Sequence, residues 1–259
     1  MQIRNFCIIT MGRTGSSWVC DLLNSHDQIE CFYERLKDHS HLGDEEKYNY
    51  FIDCFKGTDK INLAKILFYQ LPEKQLERLF KEDLQFIIIR RNPLDRFISL
   101  KLAEATGLWH LDNLITEEAL TIGIADILRG KYSLSQISNR IIEAGKSYYD
   151  KWTYKPVQIE LNQNELIESI EYENKMVKWL EDHCTEKCKT LHVFNYDELF
   201  LMEPPKRDEL LLQTLGLPYK ELFSSREKID YHTQSERVSN YLDLKKALES
   251  GPYHQFFKV

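Results

Sequence analysis

The sequence predicts an α/β fold in which a mainly parallel sheet is flanked by helices. Short, almost wholly apolar runs, which are typical of strands covered on both faces, occur at 3–11 and 85–89. Each run is followed by a loop and then by a segment whose apolar residues have helical spacing. Strands that alternate with helices in this way form mainly parallel sheets. The length of 259 residues predicts a single domain over 1–259.

The elements follow from the chain in order. The first strand breaks at Gly12, and the chain resumes as a helix over Ser16 to Asn24. The strand at 85–89 is followed by a helix that starts at Pro93, a residue suited to a first helical turn, and ends near Gly107. Further strands are expected at Ile61 to Leu71 and Thr190 to Phe194, and further helices at Leu114 to Arg129, Leu134 to Trp152 and Glu165 to His183.

Charge and composition restrict the function. A net charge of -7 argues against a general nucleic-acid binder, so an anionic ligand would need a local basic pocket. The six cysteines are irregularly spaced, which predicts reduced thiols, and Cys184 with Cys188 lacks the two further ligands that a zinc site needs. No run approaches the about 20 apolar residues of a membrane helix, and no leader peptide is visible. We expect a cytoplasmic chain with no integral membrane segment and no bound metal; its oligomeric state is left open.

The loop after the first strand has the composition of a phosphate-binding loop. It reads TMGRTGSSW over Thr10 to Trp18, and a glycine loop before a helix offers backbone N–H groups and a positive dipole end. A Walker A loop would add a lysine, and a Walker B strand would end in an acidic residue, whereas here the strand at 85–89 ends in arginines. An ordinary glycine turn before a helix capped by Thr14 or Ser16 is the alternative.

A second basic motif follows the strand at 85–89. Arg91 at the strand end is followed eight residues later by Ser99, and the two groups can converge on one phosphate. Arg90, Arg91 and Arg96 could instead be solvated or ion-paired. Cations are unfavourable at a helix start, however, so two arginines that open a helix are better explained by an anion.

These two motifs resemble those of the sulfotransferase family, R-[ST]-G-[ST]-[ST]-W and R-[DN]-P-x-D-x-x-x-S, and they occur in the same order. The resemblance implies a P-loop-like fold and transfer of a sulfuryl group from 3'-phosphoadenosine-5'-phosphosulfate (PAPS) to an acceptor hydroxyl, without a metal. It assigns the 5'-phosphosulfate to Arg13, Thr14, Gly15, Ser16 and Ser17, with Trp18 following, and the 3'-phosphate to Arg91 and Ser99. Arg13 would act electrostatically, since it stays protonated.

Weaker similarities to the family extend along the chain, at Asn195 to Leu199, Leu215 to Pro218 and Ser239 to Tyr241. Candidates for contacts to adenine are Trp18, Trp109, and Gln234 and Arg237 in the segment 233–237. The runs 13–26 and 99–110 look most like bacterial enzymes that sulfate glycolipids and oligosaccharides. The resemblance therefore implies a carbohydrate or glycolipid acceptor, with specificity in the loops 38–59 and 108–136.

Glu34 is the candidate general base. Related bacterial enzymes have S-H-P-x-I-x-x-x-G-E where this chain has SHDQIECFYE, so Glu34 matches the carboxylate, while Asp27 and Tyr33 depart from the pattern. A carboxylate at that position can accept the proton of the acceptor hydroxyl. The competing bases are the histidines near the motifs, which are His26, His39, His41 and His110.

Two other functions remain as alternatives to an active sulfotransferase. One is a protein that binds PAPS or its desulfated product PAP without catalysis. The other is a metal-dependent P-loop kinase, for which the missing Walker lysine and acid are unfavourable.

Overall fold

A computed structural model gives the structure of the protein and describes residues 5–56, 59–107, 109, 157–224, 226 and 232–258. The described residues form a five-stranded sheet with the order β2-β3-β1-β4-β5, in which every pair of neighbours is parallel. The strands are β1 (Asn5–Thr10), β2 (Ile29–Glu34), β3 (Ile61–Leu67), β4 (Leu84–Arg90) and β5 (Leu191–Asn195). The predicted α/β class with a mainly parallel sheet is confirmed.

The helices that the structure describes lie between and after these strands. They are α1 (Ser16–Asn24), α2 (Asp44–Ile52), α3 (Glu73–Leu79), α4 (Pro93–Thr106), α5 (Gln163–Glu186), α6 (Tyr196–Leu201), α7 (Pro204–Leu215), α8 (Gln234–Arg237) and α9 (Tyr241–Ala247). Short 3-10 helices follow at Asp53–Phe55 and His254–Phe256. The predicted helices at 114–129 and 134–152 lie outside the described residues.

Two predictions about local structure were wrong. The strand expected to reach Leu71 ends at Leu67, because the N–H of Gln70 donates to the carbonyl of Leu67 at 2.9 Å and the Gln70 side chain accepts from the N–H of Leu67 at 2.8 Å. These two bonds close a turn and end the ladder. The segment 38–59, expected to be a loop, contains α2, whose start is fixed by a bond from the N–H of Gly43 to the Glu46 carboxylate at 2.8 Å.

Both faces of the sheet are covered because the central strands are apolar on both sides. In β1, Cys7 and Ile9 face one core with the helices α2, α3 and α5, whereas Phe6 and Ile8 face another with α1, α6 and α7. The same alternation continues in β4. The period of two residues along a strand thus divides each apolar run between two cores.

The described chain divides into two compact units, Met1–Phe97 with Leu166–Ser224 and Ile98–Glu165 with Ser225–Val259. The first unit contains the sheet. In the second, Ile159 pairs with Val238, and the Asn240 side chain bonds both the N–H and the carbonyl of Leu161. The expectation of a single domain over 1–259 stays a prediction. Among the described residues, no helix combines the length and the apolar composition needed to cross a bilayer.

The strand order creates a crevice at the carboxyl edge of the sheet. The chain leaves β1 toward β2 on one side, whereas it leaves β4 toward β5 on the other, although β1 and β4 are neighbours. The connections after β1 and β4 therefore diverge, and ligands of parallel sheets bind where this happens. Asn92 fixes the second connection, because its side chain accepts from the N–H groups of Leu94 and Asp95 and caps α4.

Candidate active site

The loop after β1 has a backbone that glycine makes possible. Arg13 and Gly15 both have positive φ, 69° and 81°, and a side chain at Gly15 would overlap the ring of Tyr196. Gly15 is the N-cap residue of α1 and contributes no side-chain cap bond, so neither Thr14 nor Ser16 caps this helix. The alternative of a helix capped by one of those residues is therefore wrong. The N–H groups of a first helical turn lack partners within the helix and suit an anion.

The hydroxyl of Thr14 serves the loop itself. It donates to the carbonyl of Met11 at 3.1 Å and lies 3.0 Å from the hydroxyl of Thr10, which donates to the carbonyl of Ile89 in β4. The Thr14 side chain therefore holds the loop to the sheet, and its predicted contact to the donor would have to use the backbone. Ser16 is also buried.

Arg91 joins the loop from β4, as the position of the two motifs predicts. One of its terminal nitrogens donates to the carbonyl of Arg13 at 3.2 Å, and its guanidinium carbon lies 5.0 Å from the centre of the Tyr196 ring. Its Nε is buried and has no hydrogen-bond partner among the described residues. A buried donor without a partner is costly, so this nitrogen favours an acceptor group at the site.

The two arginines make this part of the crevice electropositive. Burial, and then the neighbouring charge of Arg91, lower the pKa of the Arg13 guanidinium to about 10, which leaves it a cation at neutral pH. An anion placed near Arg13 and Arg91 would relieve their repulsion. The crevice therefore has the charge that the phosphates of a nucleotide require.

Glu34 ends β2 and faces the loop because of an irregularity in the strand. Phe32 pairs with Ala64, but Glu34 pairs with Lys65, so Tyr33 is an extra residue in β2. Without this bulge, Tyr33 would stand opposite Lys65 and Glu34 would turn to the other face. Tyr33 keeps its place through a hydrogen bond to Asp21 in α1.

Both carboxylate oxygens of Glu34 have partners. One lies 3.1 Å from the ammonium of Lys65, and the other accepts from the Gln70 side chain at 2.8 Å. The Glu34 side chain is nevertheless 24% exposed, so it is not sealed off from an acceptor. A general base needs this combination of fixed orientation and access.

Lys65 is the functional residue that the sequence reasoning missed. Its side chain is only 3% exposed, and its ammonium donates to the hydroxyl of Ser17 at 2.9 Å as well as pairing with Glu34. The lysine thus connects the loop after β1 to the carboxylate at the end of β2. The sequence feature that could have indicated this residue is a single charge inside the apolar run that forms β3.

The competing histidines among the described residues have partners other than Glu34. His26 lies in the turn before β2, at the edge of the sheet where the strands begin, and its Nδ1 accepts from the N–H of Gln28. Burial lowers its pKa. The ring of His39 stacks on Tyr50 of α2 with centroids 4.3 Å apart, and His41 stacks on His39. His110 lies outside the described residues.

The remaining predicted residues have other neighbours. Trp18 packs edge-on against Tyr196 and lies against Phe200. Gln234, in the second unit, bonds the N–H of Lys258 and the carbonyl of Phe256 and so anchors the chain end. The positions of Ser99, Gln234 and Arg237 are all in the second unit, and their binding roles stay predictions.

The described residues include no group of three or more His, Cys, Asp or Glu side chains that could hold a metal ion. Cys184 is buried and Cys188 exposed, and both are free thiols. The site that the structure does assemble consists of Arg13, Ser17, Glu34, Lys65 and Arg91. It can bind an anion beside a carboxylate that is open to a hydroxyl.

Comparisons with known proteins find a family model that is similar to the part of the chain that carries these residues. Residues 4–113 match the family model described as Sulfotransferase domain. No curated protein matches the sequence. Among solved structures, the crystal structure of a sulfotransferase from Alicyclobacillus acidocaldarius aligns with 96% of this chain and 90% of its own, at 13% identity and a TM-score of 0.44.

Proposed function

We propose, from the sulfotransferase family assignment that the match to residues 4–113 supports, that this chain moves a sulfuryl group from PAPS to a hydroxyl of an acceptor. The observation that carries the proposal is the position of Lys65, whose ammonium contacts both Ser17 in the donor loop and Glu34. The distance from Ser17 Oγ to the paired oxygen of Glu34 therefore cannot exceed the sum of these two contact distances. A proton acceptor thus lies next to the predicted sulfuryl site, as transfer to a hydroxyl requires.

The residues have distinct parts in this reaction. PAPS supplies the sulfuryl group, carried on a phosphate that becomes the leaving group. Arg13, together with the loop N–H groups, stabilises the negative charge that develops on the leaving phosphate. Glu34 takes the proton of the acceptor hydroxyl as its oxygen forms the bond to sulfur. Arg91 fits the 3'-phosphate, because its buried Nε lacks a partner among the described residues and it already contacts the loop.

The acceptor class rests on the resemblance to bacterial enzymes that sulfate glycolipids and oligosaccharides. We therefore propose a carbohydrate or glycolipid acceptor. We also propose a cytoplasmic setting, since all six cysteines are free thiols, five of them buried, as expected of a chain from a reducing compartment. Neither proposal depends on the other.

An acceptor screen with sulfur-labelled PAPS tests the function directly. Glucose, trehalose, octyl glucoside and 4-nitrophenol would be offered to the wild type and to Glu34→Gln. We expect the variant to bind PAP within a few-fold of the wild type but to transfer about 10²- to 10⁴-fold more slowly, the typical contribution of a general base. The glutamine keeps the shape of the side chain and cannot take the proton.

Glu45→Gln provides a matched control for this variant. Glu45, like Glu34, bonds a glutamine and a cation, here Gln75 and Arg78, but it lies on α2 in an exposed position. Its substitution should leave turnover unchanged. If Glu34→Gln transfers within a few-fold of the wild type, Glu34 is not the base. Tight PAP binding with no transfer by the wild type would favour a non-catalytic nucleotide-binding protein, and magnesium-dependent ATP binding would favour a kinase.

A further inference from the structure

We infer that Lys65 is a positioning residue that aligns Glu34 with the donor loop, an inference that rests on the proposed function. The direct observation is that one buried ammonium contacts both the loop hydroxyl of Ser17 and the Glu34 carboxylate, at 2.9 and 3.1 Å. Lys65 is named by neither of the two phosphate motifs and lies between them in the chain. It would act through Ser17 and Glu34, without contacting the acceptor.

The pleat of β3 directs Lys65 toward the donor loop. Leu63 belongs to the core that α1 covers, whereas Ala64 and Ile66 belong to the core on the opposite face. Because alternate residues of a strand share a face, Lys65 points to the same side as Leu63. That side carries the first turn of α1, which contains Ser17.

A buried lysine at this place needs a specific reason. An ammonium that is taken out of water loses favourable solvation, and the loss is costly unless a charge and hydrogen bonds compensate it. Lys65 has one carboxylate and one hydroxyl partner, and both belong to the proposed site. An apolar side chain in the middle of β3 would fill the same space without this cost, so the charge points to a function beyond packing.

The contacts define what the ammonium does at each end. By donating to Ser17 Oγ, it leaves the O–H of that serine to donate elsewhere, toward the anion site. By pairing with one oxygen of Glu34, it fixes the position of that oxygen, while Gln70 fixes the other oxygen. Gln70 is itself held by the N–H of Leu67. The carboxylate is therefore oriented from two sides of the turn that ends β3.

A double-mutant cycle in turnover distinguishes this role from a structural one. Lys65→Met, Glu34→Gln and the double variant would be compared with the wild type, using the acceptor from the screen that the wild type sulfates fastest. We expect Lys65→Met to lower kcat by about 10- to 100-fold, since a displacement of about 1 Å at a reacting group can cost about 100-fold. The KM for the acceptor should change far less. In the double variant, kcat should fall little below that of Glu34→Gln, because Lys65 acts through Glu34.

A control variant and two folding tests accompany the cycle. Lys56→Met serves as the control, since Lys56 forms an exposed ion pair with Asp53 and should leave kcat unchanged. Circular dichroism and PAP binding report whether each variant is folded. If Lys65→Met fails to fold, Lys65→Gln takes its place, because glutamine keeps a hydrogen-bond donor and removes the charge.

The outcomes separate this inference from the proposed function. If the wild type is active and Lys65→Met keeps its kcat, or if the losses from Glu34→Gln and Lys65→Met multiply in the double variant, the positioning role is refuted and the sulfotransferase remains. If the wild type sulfates no acceptor, the proposed function fails and the role of Lys65 fails with it. A loss in Lys65→Met that disappears in the Glu34→Gln background supports the inference.

Discussion

The loop after β1 requires glycine at position 15 for two separate reasons, and Gly15→Ala measures their sum. The backbone there is left-handed, with φ of 81°, and alanine would carry a strain of about 1–2 kcal/mol in that conformation. The added methyl group would also overlap Tyr196, which is buried and packed against Trp18. Overpacking of this kind costs about 1–3 kcal/mol. We therefore expect Gly15→Ala to lower the free energy of unfolding by about 2–5 kcal/mol.

Gly107→Ala separates the two contributions. Gly107 has a similar φ of 73°, but no atom of the described residues lies within 4 Å of the position that its methyl group would take. Its substitution should cost only the backbone strain of about 1–2 kcal/mol. The free energies would be measured by urea unfolding, and the slope m should be the same for both variants. Equal losses at Gly15 and Gly107 would refute the steric argument.

Three further predictions concern Arg91, the cofactor and the buried ion pair. Arg91→Ala should weaken PAP binding by about 1.5–3 kcal/mol, the range for hydrogen bonds to charged groups, and leave AMP binding nearly unchanged; equal losses would contradict the 3'-phosphate assignment. PAP at 100 times its Kd, in the presence of a chelator, should stabilise the protein by about 2.7 kcal/mol, and no thermal shift would contradict PAP binding. Arg96→Met should cost about 3–5 kcal/mol in urea unfolding, because it leaves the buried carboxylate of Glu173 without the guanidinium that lies 2.6 Å away. Lys178→Met, at the exposed pair with Asp182, should cost no more than about 1 kcal/mol, and a similarly small loss at Arg96 would contradict this reasoning.

Much of the first unit could be predicted because its signals are local. The strands β1 and β4 are short apolar runs, and each is followed by a helix whose start is marked by a loop glycine or by Pro93. Each run is buried on both faces, so the sequence shows no alternation and indicates a parallel sheet. The two phosphate motifs follow these strands directly, and their arginines meet at the same edge for that reason.

The parts that sequence reasoning missed depend on contacts between distant segments. The apolar run after Ile61 predicted a strand to Leu71, but a hydrogen bond that the Gln70 side chain accepts from the N–H of Leu67 ends it earlier. Tyr196 explains the glycine at position 15, although 181 positions separate them in the chain. The bulge at Tyr33 decides which face Glu34 occupies, and an alternating pattern cannot reveal an extra residue in a strand.

The charge of the site shows why composition alone could not locate it. The chain as a whole carries -7, so its average field repels a nucleotide with several phosphates. At the carboxyl edge of the sheet, however, Arg13, Arg91 and Lys65 supply three cations, and Glu34 is the carboxylate that pairs with one of them. Attraction for an anion must therefore come from short contacts to buried groups, which salt screens much less than exposed charges. This arrangement reconciles an acidic chain with the anionic donor that we propose, since the positive groups lie at the proposed donor site.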